Sequence, residues 1–519
     1  MIFDSFMKTA EQYPERIAVI DERGCETSYG ELLRRVFQIA NTIQNLPPVS
    51  ENHAGQVPNI CVFGERNADA IAAMYAAMIS GYAYHFMDHS QPENAIRNTL
   101  SVTQPSLAIC TGFEHTQAYW AHEPVDQPYL SGRTDPYETA PCFLDLTVTY
   151  PCSINPERRA TLTDIVDRPH YIERDPHKIA FIYPTSGTTK APKLACTSHH
   201  TALITHSCYG RDIGYDKGYY PNVPVRGLLG NDYSGMDISP VLATGGTLVF
   251  MPELLFQDPH DLRAFFDNND IRIWPENPYV LSLALKEDSA DTRVFENIDL
   301  LVTSGEKLQP AFLDKFFERY PGKAIFYYFG ATDFEYVFGQ VLTKNNYREM
   351  ANRFVPNPAI PFHIDDKGEL HVAREAAVTY YLGEDSPAQT EQYFPTGDLF
   401  TYEPDFNGTP VFKHTGRASD LFKTFGFTIE PRQVEELIRH KCDLVADIAL
   451  IPRHNKSLCL IVQQKDNADP EEIKSELERV VNENMDRDLT FLSGLEIAIR
   501  QNPLPKTNSG KIDRRGLVD

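Results

Sequence analysis

Four hydroxyl side chains stand in five residues at Thr185-Ser186-Gly187-Thr188-Thr189, followed by Lys190 and, after Ala191-Pro192, by Lys193. Hydroxyls and backbone N–H groups donate to phosphate oxygens, and a glycine among them lets the backbone approach closely. Lys193 can add a point charge: at an effective dielectric near 20, unit charges ~4 Å apart interact by roughly 4 kcal/mol. The stretch can wrap a polyphosphate, although a solvated Ser/Thr turn has the same composition. Its glycine spacing does not fit G-x-x-x-x-G-K-[ST], which excludes a Walker-type loop. The apolar run Ile179–Tyr183 before it reads as a buried strand that would hold the loop.

Four further stretches carry chemistry in the same direction. They are Phe329-Gly330-Ala331-Thr332-Asp333, Phe394-Pro395-Thr396-Gly397-Asp398, Gly416-Arg417-Ala418-Ser419-Asp420 and Leu504-Pro505-Lys506-Thr507-Asn508-Ser509-Gly510-Lys511. Weaker echoes lie at Thr27-Ser28-Tyr29-Gly30-Glu31-Leu32 and Gly81-Tyr82-Ala83-Tyr84. Taken in order with the Ser/Thr loop, they resemble the adenylate-forming superfamily across essentially the whole chain. That superfamily includes acyl-CoA synthetases, luciferases and the adenylation domains of nonribosomal peptide synthesis.

The resemblance implies an enzyme that uses ATP and Mg2+ to convert a carboxylic acid to an acyl-adenylate, releasing pyrophosphate, and then passes the acyl group to a thiol. It assigns Thr185, Ser186, Gly187, Thr188, Thr189 and Lys193 to the β- and γ-phosphates, Gly305-Glu306 and Phe329 to adenine, and Gly330 and Thr332 to the adjoining phosphate turn. Asp333 would hold Mg2+, a hard cation usually bound by one or two carboxylates plus substrate phosphates. Asp398 would accept the ribose hydroxyls, and Arg417 would reach ribose or phosphate. Lys511 would bridge the α-phosphate and the substrate carboxylate. Ser419 takes the hinge position, and Lys423 and Gly426 would face a pantetheine arm. His199 matches a histidine at the entrance to the acyl pocket; a structural histidine fits equally.

The sequence also departs from the family pattern. Lys190 and Leu194 stand where glycines are usual, Asp333 where glutamate is usual, and Ser419 where Asp or Lys is usual. Two readings stand for Lys190: added charge at the pyrophosphate site, or a solvated lysine.

Asp232, in Arg226–Met236, takes the place of the aspartate that pairs with the substrate amine in amino-acid adenylation domains. A buried carboxylate needs a cation, and an α-ammonium supplies one; a turn aspartate is the bland reading. By the same resemblance Tyr233, Met236, Pro275, Val302, Ser304, Tyr328, Tyr336 and Val337 line the pocket. Four of them are bulky, so a small amino acid is expected, glycine before alanine. Neither a carrier nor a condensation domain is recognisable in the chain, so the expected acceptor is a separate phosphopantetheinyl carrier protein. D-alanine–carrier protein ligases and glycine-activating ligases of lipid A modification share this plan. An acyl-CoA synthetase and a non-catalytic ATP-binding homologue are the alternatives.

With 519 residues the chain exceeds a single core, and 42% hydrophobic content is ordinary for a globular protein. A formal charge of −24 argues against nucleic acid and anionic membrane surfaces as partners. Nine cysteines without CxxC pairs indicate reduced thiols and a cytoplasmic location. No signal-peptide pattern and no long apolar span predict membrane insertion. Strand–helix alternation to about residue 330 predicts α/β layers, and short alternating runs over 362–412 a β-rich subdomain. The expected organisation is a large N-terminal domain over 1–416, a hinge at 417–420 and a small mobile C-terminal α+β domain over 421–519.

Overall fold

The computed structural model describes residues 1–46, 57–91, 93–111, 142–145, 159–160, 166–169, 175–185, 193–218, 220–227, 229–382, 391–418, 422–424, 427–429, 431–452, 458–465, 468–484, 496–506, 512 and 514–517. These fall into two compact units: Met1–Thr185 with Pro192–Pro361 and Val372–Phe394, and Ser186–Ala191 with Phe362–His371 and Pro395–Asp519. The architecture is the expected large mixed α/β domain with a smaller α+β domain.

The first unit contains three sheets. One joins β1 (Ile17–Ile20), β2 (Glu26–Ser28), β10 (Asn222–Val225) and β11 (Thr247–Phe250) in the order β10-β11-β1-β2. A second is built from β3 (Asn59–Gly64), β4 (Ala83–Asp88), β5 (Leu107–Thr111), β6 (Cys142–Asp145), β7 (Arg159–Ala160), β8 (Ile179–Pro184), β9 (Leu194–Ser198) and β19 (Tyr380–Leu382), ordered β19-β9-β8-β4-β3-β5-β6-β7. The third carries β12 (Ile273–Pro275), β13 (Leu300–Thr303), β14 (Ala324–Phe329), β15 (Phe338–Leu342) and β16 (Arg353–Pro356) in that order.

Local sequence explains these elements. Strands β3, β4 and β5 are buried at every residue, the mark of central parallel strands covered on both faces. The helix Ala68–Ile79, Ala-rich and buried from Ala70 to Ile79, links β3 to β4 as a crossover. Ser28 and Glu31 form a capping box that starts the helix Tyr29–Asn45. The buried Tyr29 hydroxyl donates to the Gly246 carbonyl at 2.7 Å, tying that helix to the turn before β11. The segment after Arg226 enters the helix Asp232–Thr244, because the Asn231 side chain caps it by accepting the Ser234 N–H at 3.0 Å.

The second unit contains β17 (Phe362–Ile364), β18 (Glu369–Ala373), β20 (Tyr393–Phe406) and β21 (Thr409–Arg417), ordered β21-β20-β18-β17. Beyond them come the hairpin β22 (Phe422–Thr424) and β23 (Phe427–Ile429), and a sheet of β24 (Val445–Pro452), β25 (Leu458–Gln464) and β26 (Glu496–Arg500). The helix Pro431–Lys441 precedes this last sheet and the helix Pro470–Asn484 lies between β25 and β26, and Val434, Ile438, Leu450, Leu460, Ile473 and Leu477 share one core. β26 was not expected; it runs parallel to β25.

An ion pair between the buried Glu435 and the part-buried Arg514 fixes the chain end. Glu435 accepts the Leu450 N–H at 2.6 Å and the Arg514 guanidinium at 2.8 Å, while Arg514 donates to the Leu450 carbonyl at 2.8 Å. Lys506 and Ile512 pair as an antiparallel bridge, bracketing the loop that ends in Lys511. Glu435→Ala leaves Arg514 and the Leu450 amide without this acceptor, a loss of about 1–3 kcal/mol. The expected outcome is faster proteolysis after Lys506 and lost hydrogen-exchange protection at Leu450; unchanged protection would show that the pair does not hold the segment.

Candidate active site

Distant segments of the first unit meet at the start of the helix Asp232–Thr244. Its first turn has unpaired N–H groups and a dipole that favours negative charge. Asp232 occupies that turn, and its Oδ2 accepts the Thr332 hydroxyl at 3.1 Å. Thr332 comes from the tight turn after β14, where the Phe334 and Glu335 N–H groups both donate to the Ala331 carbonyl, at 2.9 and 2.6 Å. The turn closes so tightly that a Cβ on Gly330 would lie 1.6 Å from the Glu335 carbonyl oxygen. Only glycine fits there.

Glu335 is the functional candidate that sequence reading missed. It adopts a left-handed φ of 40° and is 4% exposed. Its Oε2 accepts the Thr205 hydroxyl at 2.5 Å and lies 3.3 Å from His206 Nε2, both residues belonging to the helix His199–Ile213. Burial, and next the Glu335 charge, push the Asp232 carboxyl up to about 6, against the pull of the Thr332 hydroxyl. Asp237 accepts the Tyr209 and Tyr215 hydroxyls at 2.9 and 3.0 Å, and burial pushes it up to about 7. The one available signal for Glu335 was a second carboxylate two residues after Asp333.

Aromatic rings surround these carboxylates. The Tyr209 centroid lies 5.3 Å from that of Tyr328 and 6.1 Å from that of Tyr336, and Tyr328 and Tyr336 are 5.8 Å apart. The Tyr336 hydroxyl donates to Asp212 at 2.6 Å. Ser304, just after β13, has its hydroxyl beside the Tyr328 phenol, and the buried Tyr233 phenol faces Thr303. Pro275 and Val302 are register partners on β12 and β13; Met236 and Val337 are buried. Gly235 allows the Tyr183 hydroxyl to approach the helix, since a Cβ there would lie 2.5 Å from it. His199 packs edge-on against Phe3 at 5.6 Å, and burial lowers it to about 4, a neutral imidazole. The histidine that reaches a carboxylate of this group is His206.

The Ser/Thr loop is clasped at its base. The Thr185 N–H donates to the Lys193 carbonyl at 2.8 Å and the Lys193 N–H to Thr185 Oγ1 at 3.2 Å, continuing the β8–β9 pairing. Lys193 Nζ stands 4.5 Å from the Tyr381 ring centroid. Ser186, Gly187, Thr188, Thr189, Lys190, Ser419, Gly426 and Lys511 lie outside the described residues, as does the Lys423 side chain. Gly305 turns the chain after β13 with φ 83°, and a Cβ there meets nothing within 4 Å. The Glu306 carbonyl accepts the Tyr327 hydroxyl at 3.0 Å. Phe329, half-buried at the end of β14, stacks with Phe334 at 5.7 Å. Asp333 lies in the tight turn, its carbonyl accepting the Val378 N–H at 2.7 Å.

In the second unit Asp398 faces Arg417 across β20 and β21. Its carboxylate lies 3.0 Å from His414 Nε2 and 3.3 Å from the Arg417 guanidinium, which also donates to the Thr396 carbonyl at 3.1 Å. A carboxylate has about four acceptor positions, so these contacts leave capacity for hydroxyls. Thr185 and Lys193 are of the types that meet phosphate, and the part-buried Asp333 carboxylate is of the type that holds Mg2+.

The fold and these residues define an adenylate-forming enzyme. The chain belongs to the AMP-binding enzyme family, whose pattern matches residues 6–373. It is 25% identical to the D-alanine–D-alanyl carrier protein ligase of Streptococcus pyogenes serotype M3, over 99% of this chain and 97% of that protein. Among solved structures, o-succinylbenzoate CoA synthetase from Bacillus subtilis, in complex with its acyl-adenylate intermediate, superposes with a TM-score of 0.74 at 16% identity, covering 99% of this chain and 98% of that one. ATP-bound MatB from Rhodopseudomonas palustris gives 0.75 at 16% identity, covering 100% and 98%. The chain therefore uses ATP and Mg2+ to form an acyl- or aminoacyl-adenylate. Among the described residues no helix is long and apolar enough to cross a membrane.

Two outcomes follow from the site geometry. Gly330→Ala forces the turn apart, an overpacking cost of about 3 kcal/mol or more; its urea midpoint should fall well below that of the parent, and an unchanged midpoint would contradict the turn. The native state holds the Asp232 proton up to about pH 6, whereas an unfolded aspartate releases it near pH 3.9. The stability this group contributes is complete below about pH 4 and lost as pH rises through about 6. Asp232→Asn should raise the melting temperature at pH 8 by about 2 °C or more, and change it little at pH 4. A lower melting temperature at pH 8 would show that the charge is compensated in the native state.

Proposed function

We propose that the chain activates a small amino acid, glycine first and alanine second, and hands the aminoacyl group to a pantetheine thiol. The observation that carries the amino-acid reading is Asp232, a buried carboxylate with a second negative charge, Glu335, acting on it. Burying such a group is costly without a cation. A substrate ammonium supplies that cation and displaces the proton. The tyrosines around the site leave little volume beside Cα; a larger side chain meets steric overlap, whereas one methylene is worth only about 1–3 kcal/mol.

In the first half-reaction a substrate carboxylate oxygen attacks the α-phosphorus and the bond to the β-phosphate bridging oxygen breaks, releasing pyrophosphate. Lys193 and the hydroxyl loop hold the leaving phosphates, Lys511 neutralises charge at the α-phosphate, and Asp398 accepts the ribose hydroxyls. His199 orders the acyl side through packing. Asp333 would hold Mg2+, which when bound would supply positive charge against the phosphates. In the second half-reaction the thiol sulfur bonds to the acyl carbon and AMP leaves. Residues 417–420 serve as the hinge between steps, with Lys511 used in the first and the Lys423–Gly426 strand in the second.

Pantetheine is common to coenzyme A and to holo-carrier proteins. Coenzyme A needs only the arm to be recognised; a carrier protein also needs a docking surface. The carrier reading draws on the similar D-alanyl carrier protein ligase, and coenzyme A is the second reading, to be tested first.

ATP–pyrophosphate exchange with glycine, both alanines, serine, β-alanine, leucine and phenylalanine tests the substrate. Glycine should lead, and greater exchange with leucine or phenylalanine would overturn the pocket. Met236→Gly should improve alanine and serine relative to glycine. No exchange with any amino acid would return the non-catalytic reading. The KM for the amino acid should rise as pH falls below about 6, where Asp232 protonates; a flat profile would remove Asp232 from ammonium binding. Thioester formation with coenzyme A against holo-carrier decides the acceptor. Lys511→Ala should slow adenylation by about 10²–10³-fold while sparing thioester formation from preformed adenylate. Gly426→Leu should do the reverse, and equal loss in both steps for both variants would remove the alternation.

A further inference from the structure

The β17–β18 hairpin gathers two imidazoles and two carboxylates that adenylation does not use. Strand residues two apart share a face, which puts His363 with Asp365 and Glu369 with His371. The turn between them is closed by the Asp365 N–H donating to the Glu369 carbonyl at 3.0 Å and the Gly368 N–H donating to the Asp365 carbonyl at 2.9 Å. The His363 and His371 rings stack at 4.6 Å with a 15° interplanar angle, which fixes the plane of His371.

The backbone occupies one oxygen of each carboxylate. Asp365 Oδ1 accepts the N–H groups of Lys367 and Glu369 at 2.9 and 2.8 Å, and Glu369 Oε1 accepts the Gly397 N–H at 3.0 Å. Asp365 Oδ2 is 3.6 Å from His371 Nε2, a nitrogen shielded from solvent and without a hydrogen-bond partner. That separation is too long for a hydrogen bond. It is close to the ~3.4 Å between two donors that each sit ~2.1 Å from one tetrahedral ion. One donor atom each from Asp365, Glu369 and His371 lies within 4.8 Å of the other two.

We propose that Asp365, Glu369 and His371 form a binding site for a divalent transition ion of the zinc class, separate from the Mg2+ that accompanies ATP. The imidazole directs the choice, because nitrogen ligands suit zinc and Mg2+ prefers oxygen with several waters kept. The orienting bonds on the outer oxygens are what a metal site requires of its surroundings. One of those bonds comes from Gly397, beside Asp398, and the Thr396 hydroxyl donates to the Leu370 carbonyl at 2.8 Å. A bound ion therefore braces the strand that presents the Asp398 carboxylate.

The test uses the full chain, stripped by chelator dialysis and titrated with Zn2+ against a chromophoric chelator in excess Mg2+. The expected result is one tightly held zinc per chain and slower hydrogen exchange at Gly397 on loading. His371→Ala and Glu369→Gln should each weaken zinc by about 10–100-fold or more. Gln keeps an oxygen for the Gly397 N–H while removing the free one, so Glu369→Gln reads the site even if His371→Ala fails to fold. His200→Ala, in the separate tilted ring pair His177–His200, should leave zinc binding unchanged. Equal zinc uptake by wild type and Glu369→Gln, no uptake by wild type, or loss in His200→Ala would each overturn the proposal.

Discussion

The hydrogen bond from Thr332 to Asp232 joins residues 100 positions apart, and the rest of the site is arranged around the negative charge it touches. A carboxylate out of water is tolerated only when paired or hydrogen-bonded. Asp232 has a hydroxyl and a helix N-terminus, which together do not offset burial, and its pKa rises to about 6. Glu335, by contrast, has Thr205 and His206 as direct partners. The site is thus under-compensated at one carboxylate and compensated at the other. That difference is the ground for the proposal that a substrate ammonium pairs with Asp232.

Tight backbone turns, more than side-chain networks, set the positions of the remaining parts. Gly330 permits the turn that lifts Thr332 toward Asp232 and carries Glu335 inward. Gly235 lets the Tyr183 strand lie against the Asp232 helix. The Thr185–Lys193 clasp closes the Ser/Thr loop without using the side chains that would meet phosphate, apart from the Thr185 hydroxyl.

The second unit solves two positioning problems on its own. Asp398 is aimed by His414 and Arg417, which the β20–β21 pairing brings to it, while its backbone N–H donates to the Thr396 hydroxyl on the same strand. The chain end beyond the Lys506–Ile512 bridge is anchored through Arg514 to Glu435 and the Leu450 backbone. The first device puts ionic groups where their partners are already fixed by sheet register, so little side-chain freedom is lost on forming it.

The sequence by itself determined the family, the α/β layering and the ordered set of motif residues, because those depend on short-range patterns: hydroxyl-rich loops, Thr-Gly-Asp and Leu-Pro-Lys turns, and apolar runs of strand length. Asp232 and Thr332 were each legible that way, as separate members of motifs. Their contact was not, since a hydrogen bond across 100 residues depends on how two elements pack. Glu335 and His206 were invisible for the same reason: one is an acid in an aromatic stretch, the other a helix residue, and burial alone makes them a pair. His199, chosen by motif, packs on Phe3, because the first turn of its helix faces the amino-terminal segment. β26 escaped notice because its Glu496–Arg500 run is short and becomes a strand by pairing with β25. The Asp365–Glu369–His371 face likewise exists only once the hairpin register is set, for period-two alternation names a face but not what lies opposite it.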